Sequence, residues 1–363
     1  MVLEEDFKTF DPPNAKKKRL YFFPNWVAAN HYTEMLYSSS ESFSVEVLPL
    51  ENPFVIPEDA DYVHFHWINT LWKYSGKNKE DFLKIGFEEF FNNWDVLGSK
   101  TKFIWTCHDG LSFDNDSYLE LPLINELVAQ VDIMHVLGEQ TIELLETHTT
   151  VDRSKIIVVP HSSFEGVLTR VDTDKSIVKS DLGIPNDSIV IGFLGQIRVY
   201  KGLDTLLKAF DESLDQFPML FLLIGGNNWM PDSINLENLS AISNRFLLVD
   251  HFLTDSEFSN LANVIDIAIY PYERILNSGS LFSSATMGHH VIVPNFKELN
   301  FRPALEFVSY FDPGNHEDLT RVLQEVITTE SYKESREKAI LYSKNNSPRA
   351  MSQNFFAKLL ALE

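Results

Sequence analysis

The chain has 363 residues, 44% of them hydrophobic and 13% aromatic, a single cysteine and a formal net charge of −22. That charge excludes a general polyanion binder, because nucleic-acid affinity comes chiefly from Lys and Arg neutralising phosphates. The lone Cys107 excludes an intrachain disulfide and a multi-cysteine metal site.

At ~100–200 residues per domain the length predicts two domains. The opening "MVLEEDFKTF" is acidic and lacks the apolar stretch of a secretory signal, and no apolar run approaches the ~20 residues of a membrane span. The sequence therefore reads as soluble and cytoplasmic. At most it touches the inner face of a membrane peripherally through "KKKR" (Lys16 to Arg19), a cluster that also fits a solvated strand edge.

Six strand-length apolar runs come first: "RLYFF" (19–23), "FSVEVL" (43–48), "YVHFHW" (62–67), "KFIWTCH" (102–108), "DIMHVLG" (132–138) and "KIIVVPH" (155–161). Between them, "EDFLKIGFEEFFNNWDVL" and "LPLINELVAQV" place apolar residues three and four apart, the period of a helix face. The polar stretch "SSFEGVLTRVDTDKSIVKSDLGIPNDS" interrupts the pattern. A second series then runs through "SIVIGFLG" (188–195), "MLFLLIGG" (219–226), "RFLLVD" (245–250), "IDIAIYP" (265–271), "HVIVP" (290–294) and "FVSYF" (307–311).

Continuous apolar strands alternating with helices imply parallel sheets covered on both faces. The predicted architecture is α/β, with two doubly wound Rossmann-like domains facing a central cleft. The first spans 1–165, a linker covers 166–187, the second domain spans 188–345, and 346–363 form a helix with no assigned destination. In such sheets ligands bind at the carboxyl ends of the strands, so the strand-end loops are where chemistry is expected.

In "IGFLGQIRVYKGLDTLLKAF", Gly195 ends a strand and Gly202 opens a helix whose Leu203, Leu206, Leu207 and Phe210 point to a core. A helix start with open N–H groups suits an anion, and Arg198 and Lys201 add full charges beside it. Fixed cations there would stabilise a leaving diphosphate, whose negative charge grows in the transition state. The bland alternative is a surface loop with ordinary cations. A second loop repeats the pattern: Asn277, Ser278, Gly279 and Ser280 precede a short helix from about Leu281, as an outer-phosphate site or simply a good cap, with Glu273 or Asn277 in reach of sugar hydroxyls.

These stretches resemble a known family. "GQIRVYKG" is similar to the glycine, cation, lysine-glycine loop of GT-B glycosyltransferases, and "SGSLFSSATMGHHVIVP" to their later helix and following strand. "VHFHW", "WTCHD" and "VVPHSSF" resemble the acceptor domain of bacterial polysaccharide glycosyltransferases.

The resemblance implies transfer of a sugar from a nucleoside diphosphate sugar to a glycan or glycolipid acceptor in surface polysaccharide synthesis. The nucleotide sugar is then the donor substrate, and no separate cofactor and no metal are expected. Arg198 and Lys201 would hold the diphosphate beside Gly195 and Gln196, while Gly226, Asn227, Phe252 and Leu253 would line the nucleoside pocket.

Two departures stand out. Gln196 occupies the usual Arg position of the first loop, and Ile275 and Ser283 fall where many retaining members carry a pair of glutamates. This resembles the branch with xanthan-type mannosyltransferases, some of which invert.

An inverting transfer needs a base for the acceptor hydroxyl. Asp109 and His108 of the "CHD" loop are the first candidates and His66 the next; each also fits an ordinary strand-end role. "NWVAANHY" (25–32) offers aromatic faces for a sugar ring, or a hydrophobic staple for the next helix. Two rivals remain: a non-catalytic subunit of the same fold, motivated by the missing glutamates, and a sugar-nucleotide epimerase, for which only Glu273 is available as an acid or base in the later loops.

Overall fold

The computed structural model describes residues 17–27, 30–82, 90–91, 100–108, 117–171, 173–229, 243–275, 277–296 and 305–362. The chain divides into two compact units, Met1–His161 with Pro348–Glu363, and Ser162–Ser347. Most of the helical pattern at 80–97 falls outside the described residues.

The first unit contains β1 (Lys18–Phe23), α1 (Tyr32–Tyr37), β2 (Val45–Pro49), β3 (Tyr62–Phe65), β4 (Lys102–Cys107), α2 (Ser117–Gln130), β5 (Ile133–Val136), α3 (Glu139–Glu146) and β6 (Ile156–Val158). Its strands form one parallel six-stranded sheet in the order β2-β1-β3-β4-β5-β6. β3 and β5 are buried along their whole length, as strands covered on both faces must be. Phe65 and Phe103 meet edge to face at 5.1 Å within a core that also holds Val63, Trp105, Cys107 and Val136.

The second unit contains α4 (Lys175–Asp181), β7 (Ile189–Leu194), α5 (Leu203–Ser213), β8 (Leu220–Gly225), β9 (Phe246–Val249), α6 (Asp255–Val264), β10 (Ile267–Ile269), α7 (Gly279–Met287), β11 (His290–Pro294), β12 (Val308–Phe311), α8 (His316–Thr328) and α9 (Ser331–Asn345). Its parallel six-stranded sheet runs β12-β11-β10-β7-β8-β9. Leu203, Leu206, Ala209 and Phe210 turn one stripe of α5 into the core, and a capping box between Thr254 and Glu257 starts α6.

The unit boundary lies between His161 and Ser162. The 166–187 stretch, expected as a linker, belongs to the second unit. Its polar composition reflects the exposed face of α4, while Val178 and Ile184 enter the core and Lys175 Nζ meets Asp266 Oδ1 at 2.5 Å. The closing helix, α10 (Pro348–Ala361), returns to the first unit and buries Met351, Phe355, Phe356 and Leu359. Of "KKKR", Arg19 is committed to Glu46 at 3.0 Å and to Asp59, and Lys16 lies outside the described residues.

Candidate active site

The strand orders say where each sheet opens for a ligand. In the second unit the chain winds outward in both directions from the β7/β10 pair, and in the first from the β1/β3 pair. At such a switch point the two connections leave in opposite directions and a crevice opens beyond the carboxyl ends. β7 ends at Leu194 and β10 at Ile269, which places Gly195 and Pro271 beside the second switch point. β1 ends at Phe23 and β3 at Phe65, so Trp26, His66 and Trp67 stand beside the first.

At the second unit's switch point, backbone is packed against backbone. Gly226 has φ +146°, and a Cβ there would lie 1.9 Å from the Gly195 carbonyl oxygen, so no side chain fits. Gly202 has φ +67°, and its Cβ would lie 2.0 Å from the carbonyl oxygen of Pro271. The "GQIRVYKG" loop is thereby clamped between two strand ends. Ile197 N–H donates to the Asn227 carbonyl at 3.0 Å, Trp229 N–H to the Ile197 carbonyl at 3.1 Å, and Glu273 N–H to the Tyr200 carbonyl at 2.9 Å. Asn228 N–H donates to Asp250 at 3.0 Å, which ties in the end of β9.

The loop brings the two expected helix starts into one place. A Cβ on Gly195 would sit 3.2 Å from Ser280 Oγ in the first turn of α7. Neither α5 nor α7 has a side-chain cap. Lys201 Nζ lies 4.1 Å from the centroid of the buried Tyr272 ring, whose hydroxyl is 3.1 Å from Ser278 Oγ. The Arg198 guanidinium sits 5.3 Å above Trp229, with Nε donating to Gln196 at 3.0 Å. Thus Gly195, Gln196, Arg198, Lys201, Gly226, Asn227, Ser278, Gly279 and Ser280 fall on one cluster of strand ends. Asn277 is half-buried ahead of α7, and Phe252 is exposed after β9, with Leu253 against Gly225. Ile275 enters the core and Ser283 is buried, its hydroxyl donating to the Ser280 carbonyl at 2.9 Å.

At the first unit's switch point, aromatic rings are layered. Trp26 stacks on Trp67 at 5.0 Å, and Trp67 stacks on His108 at 4.3 Å with 11° between planes. Tyr32 meets His108 edge-on at 4.6 Å. Behind this stack runs a file of buried polar side chains. His66 Nδ1 is 3.1 Å from His108 Nε2, and Tyr37 Oη is 2.8 Å from both His66 Nε2 and His64 Nδ1. His64 Nε2 is 2.6 Å from Thr106 Oγ1, Thr106 Oγ1 is 2.9 Å from His135 Nδ1, and His135 Nε2 is 3.1 Å from the Val159 carbonyl. Phe355 of α10 lies flat on His64 at 5.4 Å.

Burial holds the rings of His64, His66 and His108 well below the usual histidine pKa and lowers His135 to about 4, with Lys358 adding to the effect at His135. All four imidazoles are neutral at pH 7, and His108, half-buried, is the member at the stacked end of the file. His66, expected as a reserve base, has both ring nitrogens engaged inside the unit and acts on its surroundings through His108. Asp109 lies outside the described residues.

No protein-family model matches the sequence, and no curated protein matches it. Solved structures do. A glycosyltransferase from Rickettsia africae superposes with a TM-score of 0.72 at 15% identity, over 96% of this chain and 99% of that one. HepE from Anabaena, in complex with UDP and glucose, superposes with a TM-score of 0.71 at 12% identity, over 95% and 99%. Sucrose-phosphate synthase from Thermosynechococcus elongatus gives 0.63 at 14%, over 84% and 75%.

The fold is GT-B.

Within this GT-B chain, the glycines and cations of the second unit were readable from sequence, but their aromatic supports, Tyr272 and Trp229, were not. A tyrosine shortly after a strand looks like core, and only the structure shows Lys201 resting on it. In the first unit, Tyr37, Thr106 and His135 escaped notice. For Thr106 and His135 the sequence signal was present: polar side chains inside the apolar, buried stretches of strands need partners, and here they partner each other. Among the described residues no group of three or more His, Cys, Asp or Glu has the arrangement to hold a metal ion, and no helix is long and apolar enough to cross a membrane.

Proposed function

We propose that this GT-B protein is a glycosyltransferase that takes a sugar from a nucleoside diphosphate sugar and passes it to a hydroxyl of a glycan or glycolipid, in bacterial surface polysaccharide synthesis. The observation that carries this reading is the cradle at the β7/β10 switch point: Gly195 against Ser280, two uncapped helix starts, and Lys201 seated on Tyr272. HepE, of the same fold, binds UDP and UDP-glucose.

In this mechanism the diphosphate takes its hydrogen bonds from first-turn amides and its countercharge from Lys201 and Arg198. As the bond to the sugar breaks, charge grows on the leaving oxygen, and donors fixed in advance stabilise it without reorganising. Gly226, Asn227, Phe252 and Leu253 line the nucleoside, and Asn277 faces the sugar. The first unit supplies the base: neutral His108 takes the acceptor hydroxyl proton as that oxygen attacks the anomeric carbon from the face opposite the diphosphate, inverting its configuration. Asp109, the next residue, is the alternative base.

The buried Ile275 and Ser283 favour a second reading, a GT-B subunit that binds without turnover, since neither presents a carboxylate to a sugar. A thermal-shift screen across nucleoside diphosphates separates the two. A ligand at a hundred times its dissociation constant adds about 2.7 kcal/mol, and a flat response to every nucleotide rejects the transferase reading.

A further inference from the structure

Arg198 stands on a strand that continues past the edge of its sheet. β7 and β8 pair with Ile189 beside Leu220 and Leu194 beside Gly225, a spacing of 31 residues, and the same spacing returns further out in the bridge between Ile197 and Asn228. Between the two lie Gly195 and Gly226, at φ +144° and +146°, where the backbones approach too closely for side chains but the register is kept. Arg198 and Trp229 are the next pair in that register. Residues paired across parallel strands share a face, so the backbone itself sets the guanidinium over the indole, 5.3 Å from its centroid.

The opposite face of this extension is fixed as well. Ile197 is 1% exposed, its amide donates to the Asn227 carbonyl and its carbonyl accepts from the Trp229 amide. Arg198 has extended backbone, φ −142° and ψ 159°, so it shares the outer face with Gln196, two residues back. Gln196 Oε1 accepts from Arg198 Nε at 3.0 Å, which ties the guanidinium to the side chain nearer Gly195. With Nε engaged and one face on the indole, the two Nη groups remain. Among the described residues neither donates to a protein acceptor, and no carboxylate pairs with the group. Trp229 is 58% exposed and lies outside the core, so packing does not explain its large ring.

We propose that Gln196 and Trp229 are positioning residues that hold the Arg198 guanidinium with its two Nη groups presented to the diphosphate of the donor. The proposal rests on the reading of this loop as the diphosphate site. Gln196 sets how far along the strand the group sits, and Trp229 sets its plane. Parallel N–H groups in one plane match two oxygens of a phosphate, a fork that lysine does not have. A long side chain gives up rotamer freedom when a ligand orders it. Here the ordering precedes the ligand, so more of the interaction appears as affinity. Tyr272 follows β10 and Trp229 follows β8, the two strands that flank β7, so the loop's two cations are held from opposite sides. Changes at Trp229 therefore act through Arg198 and not through Lys201.

The probe is inorganic pyrophosphate, a diphosphate without base or sugar, titrated calorimetrically into the full chain. Arg198→Ala is expected to weaken its binding about tenfold or more. Trp229→Ala should weaken it about three- to tenfold and leave Tm unchanged, while Trp229→Tyr, which keeps a ring face for the cation, recovers most of the loss. Gln196→Ala should cost about two- to threefold. The deciding comparison is the double variant: in an Arg198→Ala background neither Trp229→Ala nor Gln196→Ala weakens binding further. Losses that add to that of Arg198→Ala, normal binding in Trp229→Ala and Gln196→Ala, or a wild-type protein that does not bind pyrophosphate each overturn the proposal. Sugar transfer that is lost in Lys201→Ala yet indifferent to Trp229→Ala and Gln196→Ala overturns the positioning and leaves the transferase reading intact. Coupled pyrophosphate binding in a protein that transfers no sugar from any nucleoside diphosphate sugar refutes the transferase reading and leaves the positioning standing.

Discussion

Lys201 Nζ and the Tyr272 ring are 4.1 Å apart, and the same tyrosine reaches Ser278 Oγ at the start of α7 with its hydroxyl, 3.1 Å away. One side chain thus sets a cation and a helix N-terminus in register. Lys201→Ala and Arg198→Ala are each expected to lower turnover by about two orders of magnitude, the usual effect of removing one electrostatic stabiliser. Tyr272→Leu should lower kcat/KM by roughly tenfold through misplacement of Lys201. Steady-state kinetics decide it: near-normal transfer in both cation variants rejects the diphosphate assignment.

On the proposed reading, Lys201, Arg198 and the two helix starts would supply the countercharge that a divalent ion gives in metal-dependent transferases. Transfer is therefore expected to continue in excess chelator. Loss of activity with EDTA, restored by Mg²⁺ or Mn²⁺, would contradict this.

On the proposed reading, the stereochemical outcome would follow from Ile275 and Ser283, which carry no carboxylate, and from His108 at the half-buried end of the file. The product is expected to have inverted anomeric configuration, read directly by proton NMR; retention of the donor configuration sinks the assignment. His108→Gln should cost ~10²–10⁴-fold in kcat. If Asp109→Asn carries that loss instead and His108→Gln does not, the base is the aspartate.

Acid should destabilise both units well before the carboxylates titrate. His135 in the first unit and His289 and His290 in the second are held at about 4 by burial. The unfolded chain protonates such rings below about pH 6.5 while the folded protein keeps them neutral. Stability is thus complete above pH 6.5 and is lost as pH falls toward 4, by up to about 3 kcal/mol for each ring. Tm measured across this range should fall steeply, and a flat profile between pH 6.5 and 4.5 would rule the account out.

Phe355 packs against His64, His135 and Tyr37 from α10. Phe355→Ala is expected to destabilise the first unit by about 3–5 kcal/mol, measurable by urea unfolding. A loss under 1 kcal/mol would mean that the helix is not an integral wall of that core.

The twelve strands expected from sequence all formed, because a parallel strand covered on both faces writes itself as an unbroken apolar run, as in "IVIGFL" and "LFLLIG". The loop geometry of the second unit was legible for a related reason: Gly202 and Gly226 occupy places no other residue fits, and cations beside a helix start are visible in one dimension. The first unit's polar file was not legible. Tyr37, His66 and Thr106 lie on α1, beyond β3 and in β4, and the bonds among the file span 27 to 42 residues. The same distance hid the home of the closing helix, which depends on a surface built some two hundred residues earlier, as in the Lys358–Val158 bond.

That helix makes the first unit discontinuous: its sheet ends at Val158, and the piece that covers His64 and Tyr37 begins at Pro348. Synthesis runs in one direction, so the entire second unit leaves the ribosome before Phe355 can reach its place. Through that interval the buried histidines stay wet and free to take up protons, and the first core lacks its last apolar wall. The domain made first is in this protein the domain finished last.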